Sequence, residues 1–209
     1  MKIAVIGANG KAGKLIVKEA ISRNLDVTAI VRGKNNSDAQ KSILKDLFEL
    51  KYEDLNDFDV IIDAFGAWTP DTLPQHSTSL KHLCDILSGK DNRLLVIGGA
   101  GSLYVDKEHS KMLMDTENFP DDFKPLASNM AKALDELRKR DDVNWTYISP
   151  AADFQADGKR TGDYILSGEE FSTNSKGESQ ISYADYAIAM VDEAIKGKNI
   201  KKRISVLSK

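Results

Sequence analysis

Gly7, Gly10 and Gly13 stand three residues apart, directly after the apolar run Ile3-Ala4-Val5-Ile6 and directly before the helical spacing of Leu15, Ile16, Glu19 and Ala20. A run that is β-branched or apolar at nearly every position suits a parallel strand buried on both faces. The glycines then fall on a strand-to-helix turn. A Cβ would obstruct a sharp turn at Gly7, the approach of an anion at Gly10 and close packing of helix on strand at Gly13. Unpaired N–H groups at the positive end of the helix would receive that anion.

Glycines also mark ordinary turns, so the context carries the argument. A second strand, Asp26 to Val31, follows at the spacing of a βαβ unit, which makes the turn a dinucleotide-binding one. The tip of that strand separates the two dinucleotides, because a carboxylate there holds the ribose 2′-hydroxyl of NAD and a cation accommodates the 2′-phosphate of NADP. The chain reads Ala29-Ile30-Val31-Arg32-Gly33-Lys34, with no carboxylate. Arg32 offers a planar fork and Lys34 a nearby point charge, so NADP is the expected cofactor and NAD the alternative.

The elements that must position this turn fit one α/β domain spanning 1–209, with 151–209 as a C-terminal pocket or lid elaboration. The 29 basic and 32 acidic residues give a formal net charge of −3 and leave no polycationic face, so nucleic acid is not an expected partner. The basic cluster from Lys196 to Arg203 is interrupted and reads as a solvated helix end and turn. No stretch approaches a membrane span and the chain enters a strand at once, so a cytoplasmic location is expected. The single cysteine, Cys84, lies in the apolar spacing of Leu80, Leu83 and Leu87 and reads as a packing thiol. His76, His82 and His109 lack metal-ligand spacing.

Gly33 to Lys41 is too polar for a confident helix, so the second crossover is truncated, and a third strand is expected at Ser42 to Lys45. A small turn around Tyr52 to Phe58 precedes a fourth strand, Val60 to Gly66. A helix then runs to Ser88 and stops at Gly89. A fifth strand, Arg93 to Ile97, ends in Gly98-Gly99-Ala100-Gly101-Ser102, whose glycines permit close backbone approach to a ligand. An amphipathic helix from Leu126 to Arg140 and a sixth strand, Trp145 to Ser149 closed by Pro150, follow. Beyond them, Asp157 to Tyr164 reads as a hairpin or lid, Ser182 opens a helix to Lys196, and the last strand is Arg203 to Leu207. This tail is expected over the carboxyl edge of the sheet.

The turn Gly7-Ala8-Asn9-Gly10-Lys11-Ala12-Gly13, the strand end Asp63-Ala64-Phe65-Gly66, and the segments Gly98-Gly99-Ala100-Gly101-Ser102-Leu103-Tyr104-Val105 and Ile148-Ser149-Pro150-Ala151-Ala152-Asp153-Phe154 together resemble one family over essentially the whole chain. It is the bacterial NADH-flavin-reductase group of atypical short-chain dehydrogenase/reductases, related to the biliverdin-IXβ/flavin reductases and to NmrA-like proteins. The resemblance implies a Rossmann-type doubly wound parallel sheet and a cofactor path. Gly7, Ala8, Asn9, Gly10, Lys11, Ala12 and Gly13 would hold the phosphates, Arg32 the ribose phosphate, and Asp46 and Leu47 the adenine. Phe65 and Gly66 would border ribose, Gly98, Gly99 and Ser102 the nicotinamide, and Pro150, Ala151 and Ala152 its carboxamide side.

One departure bears on mechanism. Carbonyl-reducing short-chain dehydrogenases use Tyr-x-x-x-Lys with a serine, because the alkoxide needs a proton. Here Lys132 has Ser128 four residues before it, and Ser102 takes the upstream serine place. Reduction of a flavin tolerates that loss, since its ring nitrogen can be protonated by water and positioning does most of the catalysis. Ser102 is the candidate catalytic residue, and Lys132 a candidate ribose contact. Trp68, Phe154 and Tyr164 are candidate stacking surfaces, with Tyr104 and His109 nearby in the loop. The expected function is NAD(P)H-dependent hydride transfer to a small planar acceptor such as FMN, FAD or biliverdin, with flavin as a substrate that is not tightly bound. The alternative is a non-catalytic NADP-binding redox sensor of NmrA type acting through a protein partner. A sugar epimerase is disfavoured by the short C-terminal region and Ser128.

Overall fold

The computed structural model describes all 209 residues, Met1–Lys209. Strand β1 (Lys2–Ile6) sends Ile3 and Val5 to one side of the sheet and Ala4 and Ile6 to the other, and all four are buried. Its neighbours β2 (Asp26–Val31) and β4 (Val60–Asp63) are likewise buried on both faces, as parallel strands between helical layers must be. With β3 (Lys41–Leu44), β5 (Arg93–Ile97), β6 (Asn144–Pro150), β10 (Lys202–Leu207) and β8 (Ile165–Ser167) they form one sheet ordered β3-β2-β1-β4-β5-β6-β10-β8. Every pairing is parallel except that of edge strand β8 with β10. The order reverses direction between β1 and β4, the switch point where doubly wound sheets open a crevice for ligands.

One layer consists of α1 (Lys11–Ser22) and α5 (Tyr183–Lys196), which bury Ile16, Val17 and Ala20 against Tyr186, Met190 and Val191. Helices α3 (Gln75–Ile86) and α4 (Lys124–Leu137) form the other, with Leu80, Leu83, Leu134 and Leu137 over Trp145 and Tyr147. Cys84 packs within that second layer as expected, and burial pushes its thiol up to about 12. Helix α1 stops where Asn24 takes a left-handed φ of 58° and Leu25 N–H reaches back to the Ala20 carbonyl. Helix α5 starts at Ser182, whose hydroxyl accepts from Asp185 N–H at 2.9 Å, and ends at Gly197 with φ 60°. No helix is long and apolar enough to cross a membrane.

Element boundaries move by one to a few residues. Strand β3 begins at Lys41, α3 ends at Ile86, and α4 begins two residues before Leu126, with Pro125 in its first turn. The segment Tyr52–Leu55 is a single helical turn, α2. Strand β4 ends at Asp63, well before Gly66, because the Asp63 carboxylate accepts the Phe65 N–H at 3.0 Å and bends the chain out of the ladder.

The tail differs more. Helix α5 packs on α1, and β10 with β8 widens the sheet, so much of the tail completes the fold instead of covering its carboxyl edge. The short parallel pair β7 (Asp153–Gln155) and β9 (Gln180–Ser182) follows the end of β6, and the backbones of Glu169 and Phe171 bond to Tyr104 in the loop after β5. The expected hairpin at 157–164 does not form. Gly162, at φ 88°, turns its own N–H and that of Thr161 onto one Asp185 carboxylate at 2.9 Å each, and the Thr161 hydroxyl joins them at 2.8 Å. That carboxylate sits in the first turn of α5, where the helix dipole favours an anion, and the clamp replaces a strand ladder. Arg160 adds an ion pair to the buried Glu19 of α1 at 3.0 Å.

Asp63 predicts a pH dependence of stability. Burial raises its pKa from 3.8 to about 6, against the Phe65 hydrogen bond that lowers it. Between those values the folded chain holds a proton that the unfolded chain has released, so this group's contribution to stability falls as pH rises through the window, by ~3 kcal/mol at most. Asp63→Asn keeps the carbonyl acceptor and removes the titration. Urea unfolding of both proteins at pH 4 and pH 7 should show the variant gaining on the parent as pH rises, whereas parallel profiles would contradict this account.

Candidate functional site

The crevice at the switch point is framed by the ends of β1, β4 and β5. Gly7 has φ 71°, and a Cβ there would lie 2.6 Å from the Ala64 carbonyl oxygen. At Gly13 a Cβ would lie 2.4 Å from the Gly7 oxygen. Both positions are glycine because the protein's own backbone leaves no room. Gly10 differs: its φ is −68°, it is exposed, and only the Gly7 oxygen at 3.2 Å approaches its Cβ direction. What glycine provides at residue 10 is open space at the start of α1.

Helix α1 begins without a side-chain cap and without an acidic residue in its first turn. The N–H groups of Lys11, Ala12 and Gly13 have no acceptor within the chain. The glycine turn is thus a set of free donors with a helix dipole behind it, an arrangement able to receive an anion. Ala8 is fully buried and packs in the core, and Lys11 is exposed. Asn9 is spent on architecture: its amide donates to the Lys34 carbonyl at 2.9 Å and its carbonyl accepts from Asn36 N–H at 2.7 Å. It ties the glycine turn to the loop after β2, which bears Arg32. Arg32 is exposed, and its guanidinium makes no hydrogen bond or ion pair.

Asp46 caps the short 3₁₀ turn Leu47–Glu49 by accepting from Phe48 N–H at 3.0 Å, and Leu47 is buried in the α3/α4 layer. Phe65 is half-buried with its ring edge-on to His76, and Gly66 is exposed. Pro150 is the last residue of β6, Ala151 is buried, and the exposed Ala152 donates its N–H to the Ser179 hydroxyl at 3.2 Å.

The loop after β5 carries a correction. Its glycines make room first for protein, since a Cβ on Gly98 would meet the Tyr147 ring at 2.2 Å and one on Gly101 would meet Ala127 Cβ at 2.6 Å. Tyr147 and Arg203 stand opposite each other on β6 and β10 and hold this loop from below. The Tyr147 hydroxyl accepts the Gly99 N–H at 3.3 Å, and Arg203 Nη1 donates to the Ser102 carbonyl at 2.8 Å and to its hydroxyl at 3.0 Å. Arg203 is therefore no solvated turn residue: its side chain is wholly buried and paired with Glu169 at 2.7 Å. Isolated in water-free packing, a guanidinium must find carbonyls and a carboxylate, and Ser102 and Glu169 supply them. Neither Tyr147 nor Arg203 was singled out by the sequence; the one available signal was a charged residue opening an apolar strand.

Ser102 is buried, and with Arg203 donating to its oxygen its own proton is left to give elsewhere. Ser128 and Lys132 lie one turn apart on the exposed face of α4, and neither side chain makes a hydrogen bond. The Tyr147 phenol is pushed up to about 12 by burial and is no neutral-pH acid. Tyr104 and His109 stack on each other at 4.4 Å, and His109 also pairs with Glu170. Of the three expected stacking surfaces, Phe154 packs against Tyr183 and Tyr186, and Tyr164 donates to Asp192 at 2.9 Å. Trp68 alone stays exposed.

Comparison with known proteins shows the family and the fold. Residues 7–194 match the NAD(P)H-binding family. The chain is 46% identical over 211 residues to the uncharacterized protein YwnB of Bacillus subtilis, covering 100% of this chain and 99% of YwnB. The crystal structure of a Streptococcus pneumoniae protein named a "putative NADH-flavin reductase" is 58% identical, with a TM-score of 0.98 over 100% of both chains. ChuY, an anaerobillin reductase of Escherichia coli O157:H7, is 14% identical with a TM-score of 0.74, over 100% of this chain and 97% of its own, and shares the fold. With the glycine turn inside a match that spans most of its length, the chain belongs to the NAD(P)H-binding family and has its Rossmann-like fold.

Proposed function

We propose that this protein is a reductase that passes hydride from NADPH to a planar conjugated acceptor of the flavin type, such as FMN, FAD or biliverdin. The observation that carries the reading is the lack of a tyrosine paired with Lys132, where Ser128 stands instead, in a chain whose glycine turn leaves N–H groups free for a phosphate. Ser128 and Lys132 are exposed, and the Tyr147 phenol is buried with its oxygen turned to Gly99. Without that pair an alkoxide loses the proton source that carbonyl reduction uses, whereas a flavin ring takes its proton from water. The name of the Streptococcus pneumoniae relative supports the same chemistry.

In this reading Gly10 and the free N–H groups of Lys11, Ala12 and Gly13 receive the pyrophosphate, and Arg32 receives the 2′-phosphate. Asp46 and Leu47 border the adenine, Phe65, Gly66 and Lys132 the ribose, and Gly98, Gly99, Pro150, Ala151 and Ala152 the nicotinamide end. Bound NADPH supplies the hydride at nicotinamide C4. Ser102, held by Arg203, directs its hydroxyl proton toward nicotinamide or acceptor and acts by orientation. The hydrogen bonds from Arg203 and to Tyr147 hold the loop after β5, which would set the geometry at the reacting edge before either ligand arrives.

Three measurements test this. NADPH oxidation with FMN, FAD or biliverdin should proceed without added protein; absence of turnover with all three would overturn the acceptor class. Arg32→Ala should weaken NADPH by roughly tenfold or more, the ~1.5–3 kcal/mol of a charge-assisted pair, and leave NADH nearly unchanged. Equal NADPH affinity in both proteins would remove Arg32 from the site. Gly10→Val should abolish dinucleotide binding by calorimetry while circular dichroism stays that of the parent, because only the space at residue 10 is filled.

A further inference from the structure

We propose that the Trp68 indole is the platform on which the conjugated ring of the acceptor stacks, and so the residue that selects planar aromatic substrates. The inference rests on the reductase reading for the word acceptor, and on the structure for the platform. Trp68 is 72% exposed, more than any other large apolar side chain of the protein. An indole left in water forgoes much of the burial that stabilises aromatic side chains, so one held out on ordered backbone asks for a ligand.

That backbone is braced from several sides. The Ala67 carbonyl, next to Trp68 in sequence, is hydrogen-bonded to His76 Nε2 at 3.0 Å, and His76 also meets the Phe65 ring edge-on at 6.0 Å. On the other side the Thr69 and Thr72 hydroxyls bond each other at 2.8 Å, and the Thr69 carbonyl accepts the Leu73 N–H at 3.0 Å. The indole itself lies over Gly66, where a Cβ would stand 3.2 Å from its Nε1. Gly66 thereby sets the ring close to its own backbone on the segment that follows β4, between the glycine turn after β1 and the loop after β5. The segment therefore shares the carboxyl edge of the sheet with the two loops that the reductase reading assigns to the dinucleotide. Phe154 and Tyr164, the other aromatic candidates, are occupied by packing and a hydrogen bond, so the indole is the one free π-face among them.

The test uses full-length protein loaded with NADP⁺, which cannot reduce the flavin, and FMN as probe. Equilibrium dialysis gives FMN affinity, and FMN emission reports contact, because an indole in van der Waals contact quenches a flavin. The parent should bind FMN with its emission quenched. Trp68→Leu should weaken FMN at least ~fivefold, the scale of one aromatic stack, with NADP⁺ affinity unchanged. Trp68→Phe should restore most of the affinity but regain emission. FMN bound equally by the parent and Trp68→Leu, or not bound by the parent, would overturn the proposal. Turnover separates the two readings: FMN bound and quenched without NADPH oxidation would sink the reductase and leave the platform. An unchanged KM for FMN in an active Trp68→Leu enzyme would do the reverse.

Discussion

Arg203 is the constraint around which the loop after β5 and the tail are arranged. Its guanidinium has no exposure, and in that position every donor left unpaired carries a desolvation cost. It therefore draws in the Ser102 carbonyl and hydroxyl from the loop after β5, and Glu169 from the tail. Glu169 in turn pairs with Arg138, which follows α4. One buried cation thus joins the last strand, the end of α4, the glycine loop and the tail. Such a pair adds little net stability over apolar packing, but losing one partner is expensive, and that asymmetry fixes geometry. Tyr147, opposite Arg203 in the sheet, fixes the first half of the same loop through the Gly99 N–H and the space left by Gly98.

The glycines of the two loops carry different meanings. Gly7, Gly13, Gly98 and Gly101 are small because protein atoms crowd them. Gly10 is exposed, and a Cβ there would meet the Gly7 carbonyl oxygen at 3.2 Å and nothing else within 4 Å. Crowded glycines let a turn fold and a loop lie down on its support; an uncrowded one leaves room for something from outside. Only the second kind speaks directly of a ligand, and here it sits where three N–H groups at a helix start lack acceptors.

The tail is pinned rather than hinged. Asp185 collects the Thr161 and Gly162 N–H groups and the Thr161 hydroxyl, Arg160 reaches Glu19, and Tyr164 reaches Asp192, so the segment is bound to α1 and α5 at several points.

The sequence by itself determined the βαβ start, the missing carboxylate after β2, the parallel core and most strand positions. These are local signals: Ile3-Ala4-Val5-Ile6 followed by three glycines, or Arg93 to Ile97 bounded by polar residues and glycine, declare themselves through period and turn chemistry. Tertiary structure alone decided what Tyr147 and Arg203 do, that the glycines after β5 yield to side chains beneath them, that residues 157–164 form a clamp, and that Trp68 is free while Phe154 and Tyr164 are not. The side-chain pairings among these lie 23 to more than 100 positions apart, as with Gly162 and Asp185 at 23 and Ser102 and Arg203 at 101. Burial and pairing at that distance leave no periodic trace in a chain. A lone arginine at the head of an apolar strand reads as surface until the strand beside it and the loop above it are in place.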